Sequence, residues 1–112
     1  MPPRQTAPVP LSYSGALVLQ AIHTGHRHGF EIMRATGLPS GSVYPLLRRL
    51  EAAGLVASRW EDIDDARDEA RPPRRYYTAT ADGRAALGAA RTRLLDQQAL
   101  FGRRGDPVRS RS

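Results

Sequence analysis

Cysteine and lysine are both missing from this 112-residue chain. Without cysteine there is neither a disulfide nor a thiolate metal site. Without lysine, the formal net charge of +6 rests on arginine alone. Arginine's planar fork pairs bidentately with phosphate or with the edge of guanine, although a lysine-free chain rich in Ala, Arg, Gly and Pro is also what a GC-rich genome writes. Long apolar runs are missing as well. No stretch approaches the roughly 18 residues of a membrane span, and the opening MPPRQTAPVP has no apolar centre of a secretory signal. A cytoplasmic protein without a membrane partner is the expectation. The length allows one domain with one modest core. The sequence pI of about 11.0 favours an acidic partner.

Against these absences one stretch stands out, LPSGSVYPLLRRLEAAGL from Leu38 to Leu55. Val43, Leu46, Leu47 and Leu50 recur at the spacing of one helical stripe. Ser42, Pro45, Arg48 and Arg49 are left to face outward. Ser40 or Ser42 is expected to cap the first turn. Pro45 is tolerated near the start, where its missing N–H matters least, and Gly54 ends the helix. The outer face near the N-terminus therefore carries Gly41, Ser42 and one aromatic, Tyr44, small enough to approach another surface closely. The two arginines further along suit an anionic one.

In chain order, residues 1–10 read as a flexible arm with four prolines and Arg4 as the one charge. A first helix runs from Tyr13 or Ser14 to about Thr24, capped by Ser12 or Ser14 and stopped by Gly25. A second runs from about His28 to Thr36 and is ended by Gly37. Phe30, Ile32 and Met33 form its buried side, and Glu31 and Arg34 face water. Leu38-Pro39 turns into the central helix, so the pattern is a helix-turn-helix. Beyond Gly54 the period becomes two: Leu55–Trp60 and Arg75–Thr80 read as paired strands. The charged segment 61–74 joins them as a long loop, making a wing. Thr80 caps a last helix, Ala81 to about Phe101, with Asp82 at its positive end. Leu87, Leu94 and Phe101 repeat every seven residues, with Ala90 and Gln97 between them, like one seam of a coiled coil. This stripe is expected to find no partner in its own chain and to pair with a second copy. Residues 102–112 read as a disordered basic tail. The fold class is mainly α with a two-stranded β-wing: a winged helix-turn-helix over 11–80 plus a dimerisation helix over 81–101.

The stretch HGFEIMRATGLPSGSVYPLLRRLEAAGLVASRW, followed by RPPRRYYTATADGR, resembles the PadR family of bacterial transcription regulators. The likeness covers about Leu11 to Leu94 and rests on a combination: the HG-aromatic-E-I helix, SGSVYP, the E-x-x-G-L-V exit, and RRYY before T-x-x-G. It implies a winged helix-turn-helix whose C-terminal helix exchanges contacts in a two-fold dimer, with Leu17, Leu87, Ala90, Leu94 and Phe101 at the interface. It implies binding of double-stranded operator DNA, usually in repression, and often control by a small aromatic effector. No cofactor is implied. The chain departs from the family at the wing tip. Glu61, Asp62, Asp64, Asp65, Asp68 and Glu69 stand against one arginine, Arg67, a local charge of −5 that leaves +11 for the rest. Acids near phosphates are repelled, so this loop is expected to point away from DNA. Ala70 stands where the family commonly has a glycine.

The residues expected to contact DNA are Ser40, Gly41, Ser42, Tyr44, Pro45, Arg48 and Arg49 on the recognition helix. Arg71, Arg74 and Arg75 at the wing base join them, with His28 and Tyr13 as further phosphate donors. The amides near Ser40 and Gly41 suit a phosphate. Trp60 reads first as a packing residue and second as the lining of an effector pocket. His23, His26 and His28 straddle a helix end without a matching carboxylate, so they read as structural or solvated, not as metal ligands. No nucleophile, base and orienting group recur at catalytic spacing, which argues against an enzyme. Two other readings use the same fold: a protein-interaction module, and an architectural DNA binder indifferent to sequence.

Overall fold

The structure, a computed structural model, describes residues 11–110, with side chains described to residue 102. The proline-rich arm (1–10) lies outside the described residues. Seven elements follow in order: α1 (Tyr13–His23), α2 (Gly29–Thr36), α3 (Ser40–Ala52), β1 (Val56–Trp60), α4 (Ile63–Asp68), β2 (Arg75–Ala79) and α5 (Ala81–Ser110). The helix α5 continues past the Phe101 end that the seven-residue repeat predicts. Its backbone is helical to Ser110.

One apolar stripe organises the body. Val43, Leu46, Leu47 and Leu50 of α3 are all buried, and they meet Val18, Leu19 and Ile22 of α1 and Ile32 of α2. Val56 and Tyr77 from the strands and Leu87 from α5 close the same core. Burying each aliphatic side chain contributes about 1.5–3 kcal/mol. The N-terminus of α1 is capped as expected: Ser12 Oγ accepts from the Gly15 amide at 2.9 Å. The exit of α3 is a paired C-cap. The amides of Leu55 and Gly54 donate to Leu50 and Glu51 carbonyls at 2.9 and 3.0 Å, and Gly54 takes φ +78°.

β1 and β2 pair antiparallel, with Val56 opposite Ala79 and Trp60 opposite Arg75. The α1–α2 connection adds to the other edge of β2: Tyr77 N–H donates to Arg27 O at 2.7 Å, and His28 bridges Tyr76. This places the start of α2 directly against the wing. The junction to α5 is equally tight. Thr80 Oγ1 accepts from Gly83 N–H at 3.0 Å and donates to Gly54 O at 2.7 Å. A Cβ on Gly83 would land on the Leu55 carbonyl oxygen, which explains why T-x-x-G needs its glycine.

Three expectations are corrected here. Phe30 is not on the buried side of α2; it is 58% exposed, while Ile32 is fully buried and Met33 half-buried against the core. Leu87 and Ala90 are not left for a second chain. They are 2% and 1% exposed, because the first turns of α5 pack on the chain's own core. The segment between the strands is not a plain loop. It holds the helix α4, capped by Asp62, whose carboxylate accepts from Asp64 N–H at 2.7 Å.

A carboxylate knot holds α4 on the wing. Glu61 Oε1 and Oε2 accept from the Arg71 guanidinium at 2.6 and 2.8 Å. The same carboxylate accepts from the Arg74 amide and the Tyr76 hydroxyl, each at 3.2 Å. Only 8% of the Glu61 side chain is exposed. The Arg71 hydrogen bonds, more than any other contact, pull its carboxyl down to about 2. Ala70, at the turn beyond α4, takes φ +55°.

Gly83→Ala is expected to cost on the order of 3 kcal/mol by overpacking against backbone, whereas Ala70→Gly relieves a left-handed alanine and is neutral to about 1 kcal/mol stabilising; urea unfolding measures both. For Glu61 the folded pKa lies below the unfolded value of 4.5. Its stabilisation is therefore present above that value and drains away as pH falls toward about 2. Thermal melts of Glu61→Gln are expected to lie below wild type at pH 6, to draw closer as pH falls below 4.5 and to converge on it only near pH 2; curves equally far apart across that range contradict the assignment.

Candidate nucleic-acid interface

Burying one stripe of α3 against α1 turns the opposite stripe outward. Ser40, Gly41, Arg48 and Arg49 are exposed, and Ser42 and Pro45 are half-buried. The expected serine cap is not there. Pro39 is the N-cap and makes no side-chain hydrogen bond. Ser40 and Ser42 instead occupy the first and third helical positions. The first amides of α3 are consequently left without a side-chain acceptor, the condition under which a helix end receives an anion. Pro45 lies inside the helix, not at its start. It removes the amide that would bond Gly41 O.

Tyr44 is 42% exposed and leans toward α2. A Cβ on Gly29 would fall on its hydroxyl and ring, so the glycine of the HG-aromatic motif makes room for this tyrosine. On the other flank, Ser12 and Ser14 at the start of α1 join Gly41, Ser42, Pro45 and Arg49 around an open depression of about 370 Å³. Tyr13 beside them is 63% exposed.

The wing residues are not equivalent. Arg71 is withdrawn: its guanidinium is spent on Glu61 within the wing, and its side chain is 19% exposed. As a phosphate contact it is corrected. Arg75 tethers the wing to α3. Its Nε donates to Ser58 Oγ at 2.9 Å, Ser58 Oγ donates to Glu51 Oε2 at 2.7 Å, and Arg75 Nη2 lies 3.5 Å from Glu51. Its guanidinium also covers the Trp60 ring at 5.3 Å. Arg74 is fixed through its backbone to Glu61 and has no ion pair among the described residues.

His28 is corrected too. It is 7% exposed, its ring edge-on to Tyr76 at 5.9 Å. Burial lowers its pKa below the ordinary 6.5, Glu31 at 3.7 Å opposes this, and Arg74 and Arg71 add to the lowering. A ring so nearly covered presents little surface to a phosphate. Trp60, read first as packing, is 62% exposed. At the far end of β1 its face of the sheet has passed beyond the core. Two arginines escaped notice in the sequence, Arg27 and Arg59, which lie over the Tyr76 ring at 5.4 and 5.3 Å. Arg59 lies on the exposed alternation of β1, and the edge pairing with β2 brings Arg27 to the same ring.

On α5, Leu94 is half-buried, while Leu95, Leu100 and Phe101 are 63%, 50% and 75% exposed. Leu17 on α1 is half-buried. Among the described residues no helix is long and apolar enough to cross a membrane.

The model of the transcriptional regulator PadR-like family matches residues 18–89. A transcriptional regulator of Mycobacterium tuberculosis is 40% identical over 68 residues, which is 61% of this chain and 52% of that protein. The chain thus spans about half the length of that relative. Among solved structures, a PadR family regulator from Clostridium difficile superposes with a TM-score of 0.72 at 20% identity, over 82% of this chain and 97% of the other. Bordetella bronchiseptica BpsR, whose DNA binding is regulated by 6-hydroxynicotinic acid, matches with a TM-score of 0.67 at 26% identity, over 88% and 72%. With its family match running from the middle of α1 through the first turns of α5, the chain belongs to the PadR-like family of transcriptional regulators.

Proposed function

We propose that the chain acts as a homodimeric repressor that binds an inverted-repeat operator sequence-specifically, each protomer laying α3 in a major groove. The observation that carries this reading is the outward stripe of α3. It joins an uncapped helix N-terminus, a glycine with open space around it and two exposed arginines on a helix whose other side is core. Small residues let the helix approach base edges, and the amides and guanidinia take phosphates and guanine. Arg74 and Arg75 supply the wing side of the contact, and the acidic α4 is stapled to the wing by Arg71. The exposed Leu95, Leu100 and Phe101 on α5 support pairing with a second copy. The half-sites would then lie about one helical turn apart. The regulation of the Bordetella protein's DNA binding by 6-hydroxynicotinic acid supports release by a small aromatic effector.

Arg48→Ala with Arg49→Ala is expected to abolish specific binding to the chain's own upstream DNA in a gel shift with competitor. Each lost phosphate contact lowers the salt slope by about 0.9. Undiminished affinity would reject the placement of α3. Leu95→Asp with Phe101→Asp is expected to turn a dimer into a monomer by light scattering while circular dichroism of the helices persists; a dimer that survives both changes argues against α5 as the seam.

A further inference from the structure

His23 and His26 stand in solvent, but the fold encloses His28 where the α1–α2 connection meets the wing. His28 is the N-cap of α2, yet its side chain makes no capping hydrogen bond. Its backbone instead bridges Tyr76, and beside that bridge the Tyr77 amide donates to Arg27 O. Among the described residues this short pairing is what ties the connection to the edge of β2.

The His28 ring lies between two seats. The first is apolar, edge-on to Tyr76. The second is the Glu31 carboxylate, whose Oε1 is 3.7 Å from Nε2, too far for a hydrogen bond. Glu31 is at the water's edge, with 44% of its side chain exposed, and it already accepts from the Arg27 amide at 2.9 Å. The first seat is hostile to a cation. Arg27 and Arg59 flank the Tyr76 ring. Burial holds the His28 pKa below 6.5; Glu31 opposes this, Arg74 and Arg71 add to it, and Glu61 opposes it. The Glu61 carboxylate is itself committed to Arg71 and to the Tyr76 hydroxyl. From α3 the neighbouring polar group is the Tyr44 phenol.

We propose that His28 is an acid-sensitive latch on the wing: the neutral ring seats on Tyr76 and holds the connection against β2, and a proton taken up at the bare ring nitrogen carries the ring out to Glu31 and opens that edge. An imidazolium does not stay where Arg27, Arg59, Arg71 and Arg74 gather, and Glu31 offers it a charge-assisted bond. Linkage sets the sign. Below 6.5 the released ring takes up a proton more readily than the seated one, so the closed edge loses ground as pH falls. The stabilisation from Glu61 drains only below 4.5, which separates the two effects. The consequence for DNA rests on the regulator reading above: Arg74 and Arg75 stand on the segment that this edge steadies.

Amide hydrogen exchange of the full chain, with Tyr77 read against Leu19 in the middle of α1, measures the edge. From pH 7 to pH 5 the protection of Tyr77 is expected to fall at least tenfold relative to Leu19. The ring protons of His28 are expected to titrate with the same midpoint, below 6.5. His28→Gln cannot charge and loses no cap, and is expected to keep Tyr77 protection level across this range. Glu31→Gln keeps an oxygen for the Arg27 amide without the charge, and is expected to move the midpoint further down. His26→Gln, at the exposed histidine beside Glu31, is expected to leave the response intact. Level protection in wild type, an equal fall in His28→Gln, or a response lost in His26→Gln overturns the latch. In gel shifts with the chain's upstream duplex, affinity is expected to fall from pH 7 to pH 5 in wild type and not in His28→Gln. Added positive charge on His23 and His26 alone would raise it. Duplex affinity that does not follow the exchange overturns the coupling to DNA. A duplex left unbound at pH 7 overturns the regulator reading instead, and the exchange still decides the latch.

Discussion

The rotation of α3 about its own axis is set by four side chains. Val43, Leu46, Leu47 and Leu50 are buried against α1 and α2, and a helix that buries one stripe has no freedom left in what it shows on the other. That constraint places Ser40, Gly41, Arg48 and Arg49 in solvent together. Losing any one of the four leucine or valine anchors would cost a few kcal/mol, a large share of the 5–15 kcal/mol that holds a domain together. The outer face thus depends on the inner one.

The wing is held by a different kind of force. Its two five-residue strands are too short to be stable alone. Their position comes from polar ties at three points: the α1–α2 connection on the free edge of β2, the Thr80 hydroxyl shared between Gly54 and Gly83, and the Arg75–Ser58–Glu51 chain to the end of α3. The Glu61 carboxylate adds a fourth within the wing. It converts an acidic insertion, which would repel a polyanion if it strayed, into an ordered helix with a defined place. Arginine thereby has two separate tasks in the same ten residues. Arg71 neutralises an acid of its own chain, and Arg74, three residues on, has no ion pair among the described residues.

The elements of the fold were legible because each has a local cause. Ser12 caps α1, Gly54 closes α3, and period two marks the strands, whose observed ends lie within one residue of the expected ones. The likeness to PadR regulators added the T-x-x-G and HG motifs, and the structure supplies their reasons: Gly83 against the Leu55 carbonyl and Gly29 beneath Tyr44. The helix α4 was not legible. A run of acids with only Ile63 and Ala66 among them shows no apolar periodicity, and its order comes from Asp62 and from an arginine ten residues beyond Glu61.

Local composition and spacing were enough to decide which segments become helix or strand, which stripe of α3 is core, and that its other stripe is small, polar and basic, since these depend on interactions within a few residues. Which cations stay available, which aromatics stay wet and how far α5 leans on its own body depended on contacts between residues distant in the chain. Arg71 and Arg74 look alike in sequence, and so do Trp60 and any strand tryptophan. Only the packing of α2 and α3 against the wing distinguishes a neutralised charge from an available one, and a core ring from a solvent-facing one.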